Sequence, residues 1–202
     1  MRISDDRYTR DRLRLDLALR LIHHEARTCT IRQWTGLSDD RIRKLYRSYV
    51  ADCDADRDTG PVARHRGKSP RQTAFFFRNA DLHFEAVQLA SLYLIHGLLD
   101  ATAKGIESRY RVGSVESGLL LCRVYETYTD LHAPARISFE HAWFLLWALA
   151  GHTELGVSRC AACGGLRLRD LLARRASACA NCEPAAAKPA AAKAAKESAA
   201  PW

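Results

Sequence analysis

The chain has no long apolar run. Its longest uncharged apolar stretch, Ala142 to Gly151, falls far short of the ~20 residues that span a bilayer. The opening Met-Arg-Ile-Ser-Asp-Asp-Arg lacks the apolar segment of a secretion signal. Neither a membrane span nor export is therefore expected. Also missing are the G-x-S-x-G elbow, the P-loop and the dinucleotide fingerprint, so the enzyme classes those motifs announce have no support. No repeat of solenoid length occurs, and no strand-length alternation precedes the cysteines. Seven cysteines is an odd number, which argues against a closed disulfide framework. Reduced thiols without an export signal point to the cytoplasm.

What is present is a chain of 202 residues, 48% hydrophobic and 27% charged, the balance of a globular protein with a real core. Thirty-one Lys and Arg stand against 23 Asp and Glu, a formal net charge of +8. Such an excess favours a polyanionic partner, nucleic acid first.

Hydrophobic periodicity is helical almost throughout. Leu13, Leu17, Leu21 and Ile22 recur at three and four between Asp11 and Arg27, predicting an amphipathic helix with Arg10, Arg12, Arg14 and Arg20 outward. Thr30 followed by Gln33 reads as a capping box opening a second helix, which Gly36 stops. Ser38 caps a third, running to Val50. That helix has Asp39 and Asp40 at the positive end of its dipole and buries Ile42, Leu45 and Tyr49. Residues 51–73, with four aspartates, Gly60-Pro61 and the basic cluster Arg64, His65, Arg66, Lys68 and Arg71, read as a loop or hinge. After Phe75-Phe76-Phe77, an apolar helix is predicted from Asn79 or Asp81 to about Lys104. Others follow over Val115 to Leu131 and Ser138 to Gly151. The expected fold is mainly α. A helical bundle has an N-terminal helix-turn-helix region at 1–50, a hinge at 51–73, a helical core at 74–157 and a metal-bound segment at 158–184. A disordered Ala/Pro/Lys tail follows at 185–202, where Pro-Ala-Ala-Ala-Lys occurs twice in succession.

The sharpest chemical signal is Cys160-x2-Cys163-x15-Cys179-x2-Cys182. Each C-x-x-C places two sulfurs on one tight turn, and two such turns close a tetrahedron around Zn²⁺ at about 2.3 Å per bond. Gly164-Gly165 gives the backbone room to bend back toward the sulfurs. Apart from Leu166, Leu168, Leu171 and Leu172 the segment has little to bury, so one structural zinc per chain is expected to hold it together. With four protein ligands and no open position, that zinc would not catalyse. His83-Phe84-Glu85 with Cys160-x-x-Cys163 superficially matches the zinc deaminases. Arg159 replaces their proline, however, and the second C-x-x-C is left without a role. Cys29, Cys53 and Cys122 have no partner at metal spacing and read as small buried hydrophobes.

Two further signals concern DNA. Helices meeting at Gly36-Leu37-Ser38, with Ile31, Leu37, Ile42 and Leu45 spaced to pack across each other, form a helix-turn-helix pattern. It offers Arg41, Arg43, Lys44 and Arg47 to base edges or phosphates. Asp39 and Asp40 count against base reading at the start of that helix. The second signal is spread over two places. Arg64, Arg66, Lys68 and Arg71 contain no acidic residue among them, while Arg159, Arg167, Arg169, Arg174 and Arg175 surround the cysteines against Asp170 alone. A metal-held loop carrying these arginines is suited to clamping phosphate.

These residues resemble the FlhC family of flagellar master transcriptional activator subunits. The likeness rests on Gly36-Leu37-Ser38 with Arg41 and Lys44-Leu45-Tyr46, on His141-Ala142-Trp143, and on Cys160-Ala161-Ala162-Cys163-Gly164-Gly165 with Cys179-x-x-Cys182-Glu183-Pro184. It spans about residues 10 to 184 and implies a mostly helical protein whose zinc ligands are Cys160, Cys163, Cys179 and Cys182. The resemblance further implies a heterohexamer of two such chains with four FlhD subunits. That assembly would bend promoter DNA and recruit the σ70 form of RNA polymerase to flagellar operons. The alternative is a non-enzymatic, zinc-containing protein interaction module without direct DNA contact.

Overall fold

The computed structural model describes residues 2–53, 65, 67–102, 105–151, 154–160, 162–172 and 182. The described chain is mostly helical: α1 (Arg2–His23), α2 (Thr28–Thr35), α3 (Asp39–Cys53), a 3-10 helix (Thr73–Phe77), α4 (Ala80–Ile95), α5 (Val115–Leu131) and α6 (Phe139–Gly151). Two antiparallel hairpins complete it. One pairs β1 (Leu99–Thr102) with β2 (Gly105–Ser108), the other β3 (Leu155–Arg159) with β4 (Leu166–Asp170). Most of the 51–73 hinge and all of the 185–202 tail lie outside the described residues.

The first three helices pack on one another through the predicted apolar positions. Leu17, Leu21 and Ile22 of α1 are fully buried, as are Ile31 and Trp34 of α2 and Ile42 of α3. The α1 helix begins at Arg2, ahead of the predicted Asp11. It ends at His23 because Glu25 adopts a left-handed φ of 58°. The capping box at Thr30 is not formed. Helix α2 begins at Thr28, Thr30 is buried inside it, and Arg27 in the cap position donates its backbone N–H to the Glu140 carboxylate at 2.9 Å. Gly36, at φ 69°, stops α2 as expected, its N–H reaching the Arg32 carbonyl at 2.8 Å. Ser38 caps α3, its Oγ accepting from the Arg41 N–H at 3.4 Å. The buried Tyr46 hydroxyl donates to the Ala26 carbonyl at 2.6 Å and ties α3 back to the α1–α2 connection.

Trp34 joins this unit to the rest. Its ring meets Trp143 of α6 edge-on at 4.9 Å between centroids and lies 6.2 Å from Tyr110. Gly118 of α5 makes the space: a Cβ there would sit 2.6 Å from Leu17 Cδ2 and 3.4 Å from Trp34 Cε3. Helices α5 and α6 fall on their predicted spans. The helix predicted to reach Lys104 instead stops at Ile95, where His96 caps it and Gly97 takes a φ of 73°. The chain then reverses into β1–β2, so strands do precede the cysteines. Leu98 and Leu99, which extend the helical apolar pattern in the sequence, are buried on the far side of that turn.

Of the unpaired-spacing cysteines, Cys122 is the buried small hydrophobe expected, its thiol pushed up to about 12 by burial. Cys29 is exposed, contrary to expectation, because the first turn of α2 faces outward there. The side chain of Cys53 is outside those described.

One buried charge fixes the loop before α6. The Glu85 carboxylate, 2% exposed on α4, accepts from the Tyr128 hydroxyl, from the Arg136 backbone N–H at 3.0 Å and from the Arg136 guanidinium at 2.9 Å. Tyr128 Oη in turn accepts from the Ile137 N–H at 3.0 Å. Burial pushes the Glu85 carboxyl up, but the bonds from Tyr128 and Arg136 outweigh it and bring it below its ordinary value. A depressed folded pKa contributes stability that is complete above the ordinary carboxylate range and lost as pH falls through the folded value. Replacing Glu85 by Ala leaves these donors without their acceptor and is expected to cost about 3 kcal/mol. Tyr128→Phe is expected to cost about 1–2 kcal/mol. Urea midpoints measured from neutral to acid pH check this, with the Glu85→Ala variant losing part of the acid limb.

Candidate metal centre and its basic hairpin

The described first part of the cysteine segment forms an antiparallel hairpin, β3–β4, rather than a loop. In register, Leu155 faces Asp170, Val157 faces Leu168 and Arg159 faces Leu166, while Gly156 and Ser158 face Arg169 and Arg167. Cross-strand partners share a face. One face therefore turns Leu155 and Leu168 into the core, where both are buried, and the other carries Arg167 and Arg169 beside small residues. The β4 strand packs against α4 and β3 against α6.

At the tip the backbone curls over the first sulfur pair. The Cys160 N–H donates to the Gly165 carbonyl and the Gly164 N–H to the Cys160 carbonyl, both at 2.8 Å. Gly164 takes a φ of 69°, which glycine alone adopts freely. At Gly165 a Cβ would approach Cys163 Sγ to 3.3 Å. Cys160 is buried, Cys163 exposed and Cys182 half-buried, and their three sulfurs all lie within 4.8 Å of one another. A tetrahedral thiolate site with bonds of about 2.3 Å needs sulfurs roughly 3.8 Å apart, so this donor set suits a thiophilic metal ion. Among the described residues it is the one cluster of Cys, His, Asp or Glu close enough to hold an ion. The fourth predicted ligand, Cys179, lies outside the described residues, as do Arg174 and Arg175.

His83 and Glu85 do not belong to that cluster. The Glu85 carboxylate is committed to Tyr128 and Arg136, and His83 Nδ1 lies 3.3 Å from the Phe76 carbonyl. Burial holds the His83 imidazole below its ordinary value against the pull of that carbonyl, and the Arg167 charge adds to the effect. Arg167 thus projects its field onto the exposed end of α4, while Arg159 reaches the Gly164 carbonyl at 3.4 Å across the turn.

The cations singled out on α3 are all exposed. Arg41, Lys44 and Arg47 point outward, and Arg43 pairs with Asp40 at 2.8 Å. Asp39 is met by Arg32 at 3.5 Å. Lys68 is exposed beside α2, its carbonyl accepting from the Arg27 guanidinium, whereas Arg64 and Arg66 lie outside the described residues. Sequence reasoning passed over Arg78 and linked neither Phe75 of the aromatic run nor His141 to it. They are brought together by folding from positions more than sixty residues apart in the case of Phe75 and His141, and no local spacing announces them.

The tip geometry generates a direct test. Gly164→Val forces a β-branched residue into the left-handed region at about 1–2 kcal/mol, roughly a five- to thirtyfold loss of metal affinity. Competition against a colorimetric zinc chelator reads it, and Ala162→Ser on the same exposed turn should leave affinity unchanged. Compared with known proteins, the chain matches no family model and no curated protein.

Proposed function

We propose that the chain is a DNA-binding transcriptional activator subunit of the FlhC type, in which a structural zinc holds a basic hairpin. The observation that carries this reading is the juxtaposition at one hairpin of a three-sulfur cluster with Arg159, Arg167 and Arg169. Cys160, Cys163, Cys179 and Cys182 would hold one zinc per chain, with Cys179 supplying the fourth sulfur. The metal, when bound, cross-links the tip to the 182 segment. The chain's own residues do the rest: Leu155 and Leu168 anchor the hairpin to the core, and the opposite face presents arginine to phosphate.

The helix-turn-helix reading fits the same function. Helices α2 and α3 meet at Gly36 and pack with α1, and α3 leaves Arg41, Lys44 and Arg47 on its outer face. Asp39 and Asp40 are each met by an arginine, which lessens their repulsion of phosphate. On this reading the chain works in the cytoplasm in a hetero-oligomer with an FlhD-like subunit, engages promoter DNA and recruits RNA polymerase, with no catalytic step of its own. The interaction-module alternative draws on the exposed Phe84, Ile95, Leu131 and Trp147, apolar surface that a protein partner would cover.

Salt separates the two. DNA affinity through several phosphates falls by orders of magnitude, about 10³ to 10⁵ for six to ten contacts, between 50 and 200 mM salt, whereas an apolar interface hardly responds. The full chain, purified with its partner, is expected to carry one zinc. Chelation or Cys160→Ser should expose the 158–182 segment to protease, spare the helical core and sharply weaken duplex binding. A metal-free chain with full, salt-sensitive DNA binding would sink the role given to zinc. Salt-insensitive association with protein alone would favour the alternative.

A further inference from the structure

We propose that the groove between the 67–78 segment and the start of α6 is a second DNA-backbone site, binding phosphodiesters independently of the cysteine hairpin. It rests on the DNA-binding reading above and extends it to a surface that reading does not use. The groove has a volume of about 880 Å³ and is lined by Lys68, Ser69, Arg71, Phe75, Arg78 and His141, among others, with no carboxylate among the described residues of its walls. Among the described residues none of Lys68, Arg71 and Arg78 takes part in an ion pair. Three uncompensated cations around one concavity are the arrangement that a polyanion neutralises, and a concave wall strengthens the field inside it.

One of the cations and the segment that carries them are also held in place. The Arg78 guanidinium lies 5.2 Å from the centre of the Phe75 ring, and Phe75 stacks on His141 at 3.8 Å and 21°. This cation–π contact restrains a long side chain before any ligand arrives. The Arg27 guanidinium grips the Lys68 carbonyl, and Cys29 Sγ lies 3.4 Å from Ser69 Oγ, tying the segment to the first turn of α2. Burial, with the charges of Arg78 and Arg27, holds the His141 imidazole below its ordinary value against the opposing pull of Glu140. Only the part of that effect that comes from Arg78 and Arg27 bears on an anion, and it acts in the anion's favour.

The groove leads to the helix-turn-helix. A neighbouring cavity of about 320 Å³ shares Cys29 and Gly67 with it and continues past Arg32 to Asp39, the first residue of α3. A strand seated in the groove would therefore run beside the junction of α2 and α3. Because the stacked Phe75 is already committed to His141, the site grips backbone and does not read bases.

The test measures the affinity of the full, zinc-loaded chain for two duplexes of unrelated sequence between 50 and 200 mM salt. Arg71→Ala with Arg78→Ala, both exposed positions, should weaken binding to the two duplexes alike and flatten the salt slope by about 0.9 for each phosphate no longer neutralised, with Arg78→Lys keeping most of its share. Alkylation of the exposed Cys29 by iodoacetamide, followed by peptide mass mapping, gives a second readout. Duplex should slow it severalfold in the wild type and much less in the double variant. An unchanged slope in a chain that still binds DNA overturns the groove and leaves the DNA-binding reading intact. If the double variant misfolds, equal Cys29 reactivity in the wild type with and without duplex overturns it instead. A wild type that binds no duplex even at 50 mM salt overturns both.

Discussion

Everything proposed for this protein depends on where Trp34 sits. A fully buried indole on an eight-residue helix is the contact that sets the first three helices against the core, and it fits because Gly118 leaves α5 without a side chain there. A short helix has little stability of its own, so α2 owes its position to this packing rather than to propensity. The arrangement has a cost: among the described residues the indole Nε1 is buried without a hydrogen-bond partner, so shape has been favoured over polar satisfaction. The outcome is a set angle between the outward face of α3 and the rest of the molecule, which the DNA-binding proposal requires of a surface that meets duplex.

The cysteine hairpin solves the opposite problem. It turns two leucines inward, leaves most of its other strand residues half-buried and exposes its tip, with Leu171 and Leu172 also exposed beyond its end, so burial alone anchors its base and leaves its tip to other forces. Two backbone hydrogen bonds and the left-handed Gly164 shape the tip, and sulfurs drawn together there would repel as thiolates unless a cation lay between them. If these sulfurs hold a metal, its binding and folding would be coupled at the tip but not at the base. That division explains how arginines on the outer face could be positioned by a metal without the helical core depending on it.

Much of the helical architecture was legible. Val115 to Leu131 carries its own cap in Ser114 and an unbroken periodicity, and the segment ending at Gly151 is so apolar that only burial on most sides fits it. Ser38 and Gly36 punctuate by mechanism, one accepting a backbone N–H and the other taking a conformation that side chains resist. Thr30 misled because the capping pattern is short and because a carboxylate more than a hundred residues away, Glu140, took over the duty at Arg27. Leu98 and Leu99 misled because buried side chains after a turn look like one more helical turn. The gathering of Cys160, Cys163 and Cys182 was readable since C-x-x-C spacing is itself suited to bringing sulfurs together. The Phe75, Arg78 and His141 cluster was not, because its members meet only through tertiary packing.

On the DNA-binding proposal, the distribution of charge decides what kind of contact this fold would make. Asp40 draws Arg43 aside and Asp39 draws Arg32, pairs that are exposed and individually weak but that spend two arginines at the start of α3. What remains outward on that helix is Arg41, Lys44 and Arg47, few side chains for reading bases. Most of the other cations of interest among the described residues belong to the hairpin, where strand pairing sets the backbone of Arg159, Arg167 and Arg169, and to the groove, where aromatic stacking restrains Arg78. On the DNA-binding reading, affinity therefore comes mainly from phosphate contacts carried by separate elements of the fold. Contacts so arranged are satisfied together only by duplex that follows the protein's surface, and the ease with which a given sequence bends to do so becomes part of what is recognised.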